Sequence, residues 1–183
     1  EGVVVSSTQT AVNIPGVFKK ELTHDFDGYT ANYKITVNEG KLALTNGTPL
    51  TIIDTMTQTL AYISGSLKIT SEDANGNINT LKQDVDYIVN YDGTGNRTDA
   101  SGKPVHVLDI VILQPQPVMY ILNYDTTLIM PEQLTGGVKY SNSASITLWG
   151  KNITNNAVEK VYADINIAAK SYAVEMFKTC ALT

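Results

Sequence analysis

The chain has 183 residues, with 13 Lys and Arg against 18 Asp and Glu, giving a formal charge of −5. This length supports one sizeable core, or one domain with linking strands, and the acidic balance excludes the basic field that nucleic acid or an anionic membrane surface would require. Arg97 is the single arginine, which argues against phosphate or carboxylate substrates held in bidentate clamps.

Apolar residues make up 43% of the chain, as in a folded globule. Runs such as VLDIVIL are far too short to span a membrane. Because the chain opens at Glu1 without Met, it is expected to be a fragment of a longer protein whose targeting segments lie elsewhere.

In chain order, residues 1–15 read as a leading segment that pairs at a sheet edge or links to an upstream domain. The body, 16–169, is then one domain, and 170–183 is an exit strand toward a following one. Twenty-two Thr and ten Tyr, with Val and Ile throughout and apolar residues at period two, make the chain all-β. Strands are predicted at 17–23, 30–38, 50–56, 60–70, 78–82, 87–91, 106–113, 118–129, 138–148, 157–167 and 172–177. Turn signals separate them: DG at 27–28, NEG at 38–40, NGTP at 46–49, ANGN at 74–77, DGTGN at 92–96 and SGKP at 101–104. One short helical turn is expected at PEQL, 131–134, with Pro131 at its start. Many short strands with Gly-rich turns predict an immunoglobulin-like β-sandwich with Greek-key-type connections.

Three segments carry groups that are costly to bury alone. Lys20 sits in VFKKEL, Asp54 in LTIIDTM and Asn142 in YSNSASITL, each inside an apolar, strand-like stretch. Alternation puts Phe18, Lys20 and Leu22 on one face of their strand and Val17, Lys19 and Glu21 on the other. The face with two large apolar residues is the core face, so Lys20 is chosen over Lys19. A surface lysine pair on an edge strand is the competing reading.

Asp54 is read at a strand end, where a turn or cap is its ordinary use, and Asn142 alone is an ordinary strand-start residue. If the three converge in one core, burial raises the carboxyl pKa and lowers that of the lysine. A neutral amine can then attack the carboxamide while the acid moves the proton, releasing ammonia and leaving an isopeptide bond.

KKELTHDFDGYTANYKITVN resembles the opening strands of the isopeptide-forming domains of Gram-positive surface adhesins and pilins, of the collagen-adhesin A-type class. PLTIIDTMTQTLAYISGSLKI is similar to that class's following hairpin, through Asp54, Leu60, Tyr62, Gly65 and Ser66. VDYIVNYD, HVLDIVIL and VMYILNYDTTLI match its middle strands, and SNSASITL matches its N-x-A strand. The resemblance spans about 17–167 and implies that Lys20 is the nucleophile, Asn142 the electrophile and Asp54 the acid–base group. The doubled lysine departs from the pattern and keeps Lys19 in play.

The implied function is a structural module of a bacterial cell-surface adhesin or pilin, extracellular and wall-associated, with an autocatalytic cross-link and no enzymatic turnover. Its expected partners are neighbouring domains of the same protein. An adhesive β-sandwich for host matrix protein or glycan, with no cross-link, is the alternative. The domain is expected to be a monomer without cofactor, nucleic acid or membrane insertion.

Other signals are weaker. Cys180 is the only cysteine, which excludes an intrachain disulfide, and it reads as an incidental thiol at a fragment boundary. With only His24 and His106 and no G-x-S-x-G, hydrolytic machinery is missing. Asp73, Asn75 and Asn77 match the start of a calcium loop that nothing closes, so a plain hairpin loop is favoured. Asp84, Asp86, Asp92 and Asp99 are a weak candidate cation cluster, and the Trp149 and Tyr side chains a candidate binding platform. An exposed aromatic row would mark a carbohydrate-binding sandwich.

Overall fold

Period-two alternation carries directly into strands in a computed structural model that describes residues 16–27, 30–45, 47–129, 139–148 and 151–161. The leading segment 1–15, the turn 131–134, the strand 172–177, the exit segment 170–183, Trp149 and Cys180 lie outside the described residues.

Eleven strands and no helix occur among the described residues. They are β1 (Phe18–Asp27), β2 (Thr30–Val37), β3 (Leu50–Thr57), β4 (Leu60–Tyr62), β5 (Lys68–Glu72), β6 (Ile78–Thr80), β7 (Tyr87–Thr98), β8 (Pro104–Ile112), β9 (Met119–Leu128), β10 (Lys139–Leu148) and β11 (Lys151–Val161). The first sheet runs β1-β2-β9-β5-β6, with β4 also pairing β9, and the second runs β11-β10-β3-β8-β7. The strand pairs are antiparallel, and β9 and β3 enter between strands distant in sequence, the Greek-key device. The fold is the expected immunoglobulin-like β-sandwich.

The core lies between the sheets and is built from single-parity rows. β2 supplies Tyr33, Ile35 and Val37, β8 supplies Leu108, Ile110 and Ile112, and β9 supplies Tyr120, Leu122, Tyr124 and Leu128. Each fully buried Ile or Leu contributes about 1.5–3 kcal/mol, and a one-residue slip in any strand would turn its whole row out to solvent.

Three boundaries differ from the sequence expectation. The strand predicted at 60–70 is two strands laid end to end along β9, with Leu60 opposite Leu128 and Lys68 opposite Asn123. Gly65, at φ +78°, breaks it, and the Ser66 hydroxyl donates to Ile63 O at 2.6 Å while accepting from Asp125 N at 3.0 Å. A hydroxyl that takes over ladder hydrogen bonds ends the strand without exposing backbone.

DGTGN at 92–96 is not the link between two strands. It is an irregularity inside β7, whose register against β8 shifts between Asp92 and Arg97. The Asp92 carboxylate accepts from Thr94 N at 2.9 Å, stabilising the bulge, and the reversal into β8 falls at SGKP, where Asp99 accepts from Lys103 N at 2.9 Å. Finally, the strand predicted at 157–167 already begins at Lys151, because Leu148 pairs with Lys151, and its residues 162–167 lie outside the described residues. KNITNN reads as loop by propensity, and ladder pairing with β10 overrides that preference.

Candidate functional site

Polar residues interrupt the apolar rows of three strands at one level of the core. On β1 the inward row is Phe18, Lys20 and Leu22; on β3 it is Leu50, Ile52, Asp54 and Met56; on β10 it is Tyr140, Asn142, Ala144 and Ile146. β1 belongs to the first sheet, and β3 and β10 are neighbours in the second. Asp54 pairs with Ala144 and Met56 with Asn142, so Asp54 and Asn142 are diagonal neighbours on the inner face. Asp54 stands in the middle of β3, not at a strand end as its sequence context suggested, because the ladder with β8 continues to Thr57.

The structure brings all three side chains together. Lys20 Nζ reaches Asp54 Oδ2 and lies 2.5 Å from Asn142 Oδ1. Their residues are 4%, 0% and 1% exposed for Lys20, Asp54 and Asn142, which removes water as a competing partner. Lys19 points outward and pairs with Glu21 at 2.7 Å, so the outward alternative lies away from the cluster.

A fourth residue completes the cluster. Tyr124 of β9 donates its hydroxyl to Asp54 Oδ2 at 2.6 Å and accepts from Asn142 Nδ2 at 2.9 Å. Its ring stacks on Tyr33 with centroids 5.6 Å apart and planes 20° apart, and Lys20 Nζ lies 4.9 Å from the Tyr33 centroid and 5.5 Å from that of Tyr124. Sequence reasoning did not single out Tyr124. The available signal was the alternation of Tyr120, Leu122 and Tyr124 in VMYILNYD, which places a phenol in a core row.

Burial dominates the electrostatics. Desolvation pushes Lys20 down from 10.5 to about 8, against the opposing charge and hydrogen bond of Asp54. Desolvation likewise raises the Asp54 carboxyl, opposed by Lys20, then by Tyr124 and Asn142, and holds the Tyr124 phenol well above 10. Asp54 Oδ1 is buried and has no hydrogen-bond partner among the described residues. An unpaired buried oxygen costs less on a neutral carboxyl than on a carboxylate. Burial therefore narrows the gap between the ammonium and the carboxyl, which eases proton transfer from Lys20 to Asp54 and with it a neutral amine against a carboxamide.

The remaining sequence signals are used locally. Asp73 accepts from Asn75 N at 2.8 Å and Asn77 N at 2.9 Å within its own hairpin loop. Asp86 accepts from Lys82 N at 2.7 Å, and Asp92 and Asp99 hold their own turns. Among the described residues, no three His, Cys, Asp or Glu side chains gather where they could hold a metal ion. Tyr33, Tyr62, Tyr87, Tyr120, Tyr124 and Tyr140 are buried, and Tyr91 is exposed, so the described tyrosines form core and not an external row.

No family model matches the sequence, and no curated protein matches it. Solved structures match the fold. The collagen-binding subdomain of the Enterococcus faecalis surface protein ACE superposes with a TM-score of 0.51 at 10% identity, covering 77% of this chain and 95% of that one. The chain shares the β-sandwich fold of that subdomain. The collagen-binding domain of the Erysipelothrix rhusiopathiae surface protein RspB gives 0.53 at 15% identity, covering 80% of this chain and 47% of that one. A second Enterococcus faecalis ACE structure gives 0.52 at 12% identity, covering 82% and 52%. The chain thus spans about half the length of those two, and at such identities the likeness is one of fold.

Proposed function

We propose that this chain is a structural module of a bacterial cell-surface adhesin or pilin, stabilised by an intramolecular isopeptide bond between Lys20 and Asn142. The observation that carries the reading is the burial of Lys20 Nζ between the Asp54 carboxyl group and the Asn142 carboxamide oxygen, the latter at 2.5 Å. Asp54 takes one proton from the ammonium, and the neutral amine attacks Asn142 Cγ. The Nζ–Cγ bond forms, the Cγ–Nδ2 bond breaks, and a second Nζ proton leaves with Nδ2 as ammonia. Asp54 acts as the shuttle for that proton.

The consequence is mechanical. The joined residues are 122 positions apart and lie in opposite sheets. By analogy with a disulfide, closing that loop restricts the unfolded chain by about 5 kcal/mol. Tension applied outside 20–142 would pass through the bond and leave the strands between unloaded. Such a module suits a surface fibre exposed to shear and proteases, with neighbouring domains of the same protein as its partners.

Intact mass tests the reading: the chain should be lighter than its sequence by one ammonia, and a digest should contain a branched peptide holding Lys20 and Asn142. Full sequence mass, with both residues in separate linear peptides, rejects it. Asp54→Ala should give a folded chain at full mass that is cleaved faster by trypsin.

Adhesive binding of host matrix protein is the second reading. It is favoured by a shallow groove across the outer face of the second sheet, lined by Ile53, Thr55, Val107, Ser143 and Ser145 beside Arg97. The ACE and RspB domains are described as collagen-binding. Surface plasmon resonance on immobilised collagen tests this, and a flat response removes it.

A further inference from the structure

The linking reaction must deliver a proton to the departing Asn142 Nδ2. Asp54 Oδ2 receives Lys20 Nζ and the Tyr124 hydroxyl, and the Asn142 side chain acts on the Asp54 carboxyl only as the weakest of the contacts that lower its pKa. The atom that touches Nδ2 is the Tyr124 phenolic oxygen, at 2.9 Å, and the same oxygen stands 2.6 Å from Asp54 Oδ2. A continuous path therefore runs from Lys20 Nζ through Asp54 Oδ2 and the Tyr124 hydroxyl to Nδ2. The path is shielded from water, since Tyr124 is 1% exposed. The phenol is also held in place, its ring stacked on Tyr33 at 5.6 Å and tilted against Tyr62 at 6.2 Å.

We propose that Tyr124 is a catalytic residue of the cross-linking reaction, relaying the proton from Asp54 to the leaving nitrogen of Asn142. This rests on the isopeptide reading given above. Once Asp54 has accepted a proton from Nζ, its carboxyl O–H donates to the phenolic oxygen, and the phenol's own proton turns from Asp54 to Nδ2. As the Cγ–Nδ2 bond breaks, Nδ2 takes the phenolic proton and departs as ammonia, while the phenolic oxygen takes the proton from Asp54. Asp54 takes the second proton that the attacking Nζ sheds, so Tyr124 ends as a phenol and Asp54 as the neutral acid that the first transfer made it, and the net change from that state is the new amide bond and one ammonia. The burial that keeps the phenol protonated suits a group that must pass a proton without remaining ionised.

The test follows linking by intact mass after the full chain, recovered unlinked in denaturant, is diluted into buffer. Near-UV circular dichroism reports folding in parallel. Tyr124→Phe should fold and lose ammonia on the order of 10²-fold more slowly than wild type, the range of one general acid–base group. Tyr120→Phe serves as the aromatic control, because its hydroxyl accepts from Gln116 N at 2.7 Å and not from a reacting atom. It should link at the wild-type rate.

A folded Tyr124→Phe chain that links at the wild-type rate overturns the relay and leaves the isopeptide reading intact. Wild type that keeps its full mass overturns both. If Tyr124→Phe does not fold, 3,5-difluorotyrosine at position 124 keeps ring and hydroxyl while acidifying the phenol. A severalfold change in linking rate, with the pH profile displaced to lower pH, then supports the relay, and an unchanged rate and profile overturn it.

Discussion

Lys19 and Lys20 are neighbours on one strand with opposite fates. Lys19 lies on the outer face, its side chain 53% exposed, and pairs with Glu21, whose hydrogen bond and charge raise its pKa. Lys20 lies on the inner face, and burial takes it down to about 8 despite a carboxyl partner. Both have an acidic neighbour, so the partner does not explain the difference. Solvent does: water screens the outer pair to a small effect, whereas the sandwich interior penalises the charged form of the inner one. One residue of strand parity converts a surface cation into a candidate nucleophile.

The largest test of that contrast is removal of the inner lysine. Lys20→Ala should leave the chain at full sequence mass and forfeit a loop constraint of about 5 kcal/mol. At about 2–4 °C per kcal/mol for a domain of this size, its melting temperature should fall by roughly 10–20 °C. Scanning calorimetry beside wild type measures this, and an unchanged midpoint would mean that no constraint was lost.

A pH series sharpens the comparison without removing the lysine. In Asn142→Ala nothing can be linked, so Lys20 stays titratable with a folded pKa of about 8 against 10.5 in the unfolded chain. Between those values the unfolded chain holds a proton that the folded chain has lost, so stability should rise with pH across that window and be flat, for this group, below it. Asp54 has the opposite sign. Its folded pKa lies above 3.8, so stability should fall as pH rises from 3.8 toward the raised value. Urea titrations of Asn142→Ala should therefore find least stability between the two windows. Linked wild type, whose Lys20 nitrogen is an amide, should lack the alkaline rise, and a rise of equal size in wild type would count against the link.

The smallest effect belongs to the outer lysine. Lys19→Ala should link fully by intact mass and change stability by no more than about 0.5 kcal/mol, as for an exposed pair. A full-mass product from this variant would return the nucleophile's role to Lys19.

Much of this molecule was legible in one dimension because strand alternation is a local property. VFKKEL alone assigns Lys20 and Lys19 to opposite faces, and LTIIDTM puts Asp54 in register with Leu50, Ile52 and Met56. The all-β class, the two-sheet sandwich and most strand centres follow from the same alternation and from Gly- and Asn-containing turns. Where the sequence reading went wrong, a nonlocal hydrogen bond had outvoted a local signal. Ser66 meeting the backbone of β9 splits one expected strand into β4 and β5, and the β8 ladder carries β7 past DGTGN.

The cluster itself is a tertiary fact. Lys20 and Asp54 are 34 residues apart, Lys20 and Asn142 are 122, and no spacing rule connects them; a resemblance of motifs named the three but could not supply distances. Tyr124 shows the limit most clearly, because by sequence it is one of several tyrosines in core rows, and only the packing of β9 against β3 and β10 sets its hydroxyl between Asp54 and Asn142. Sequence determined which face each residue occupies, since that depends on neighbours two positions away. The tertiary structure decided which inward groups share a level of the core, since that depends on the registers of two sheets and the distance between them.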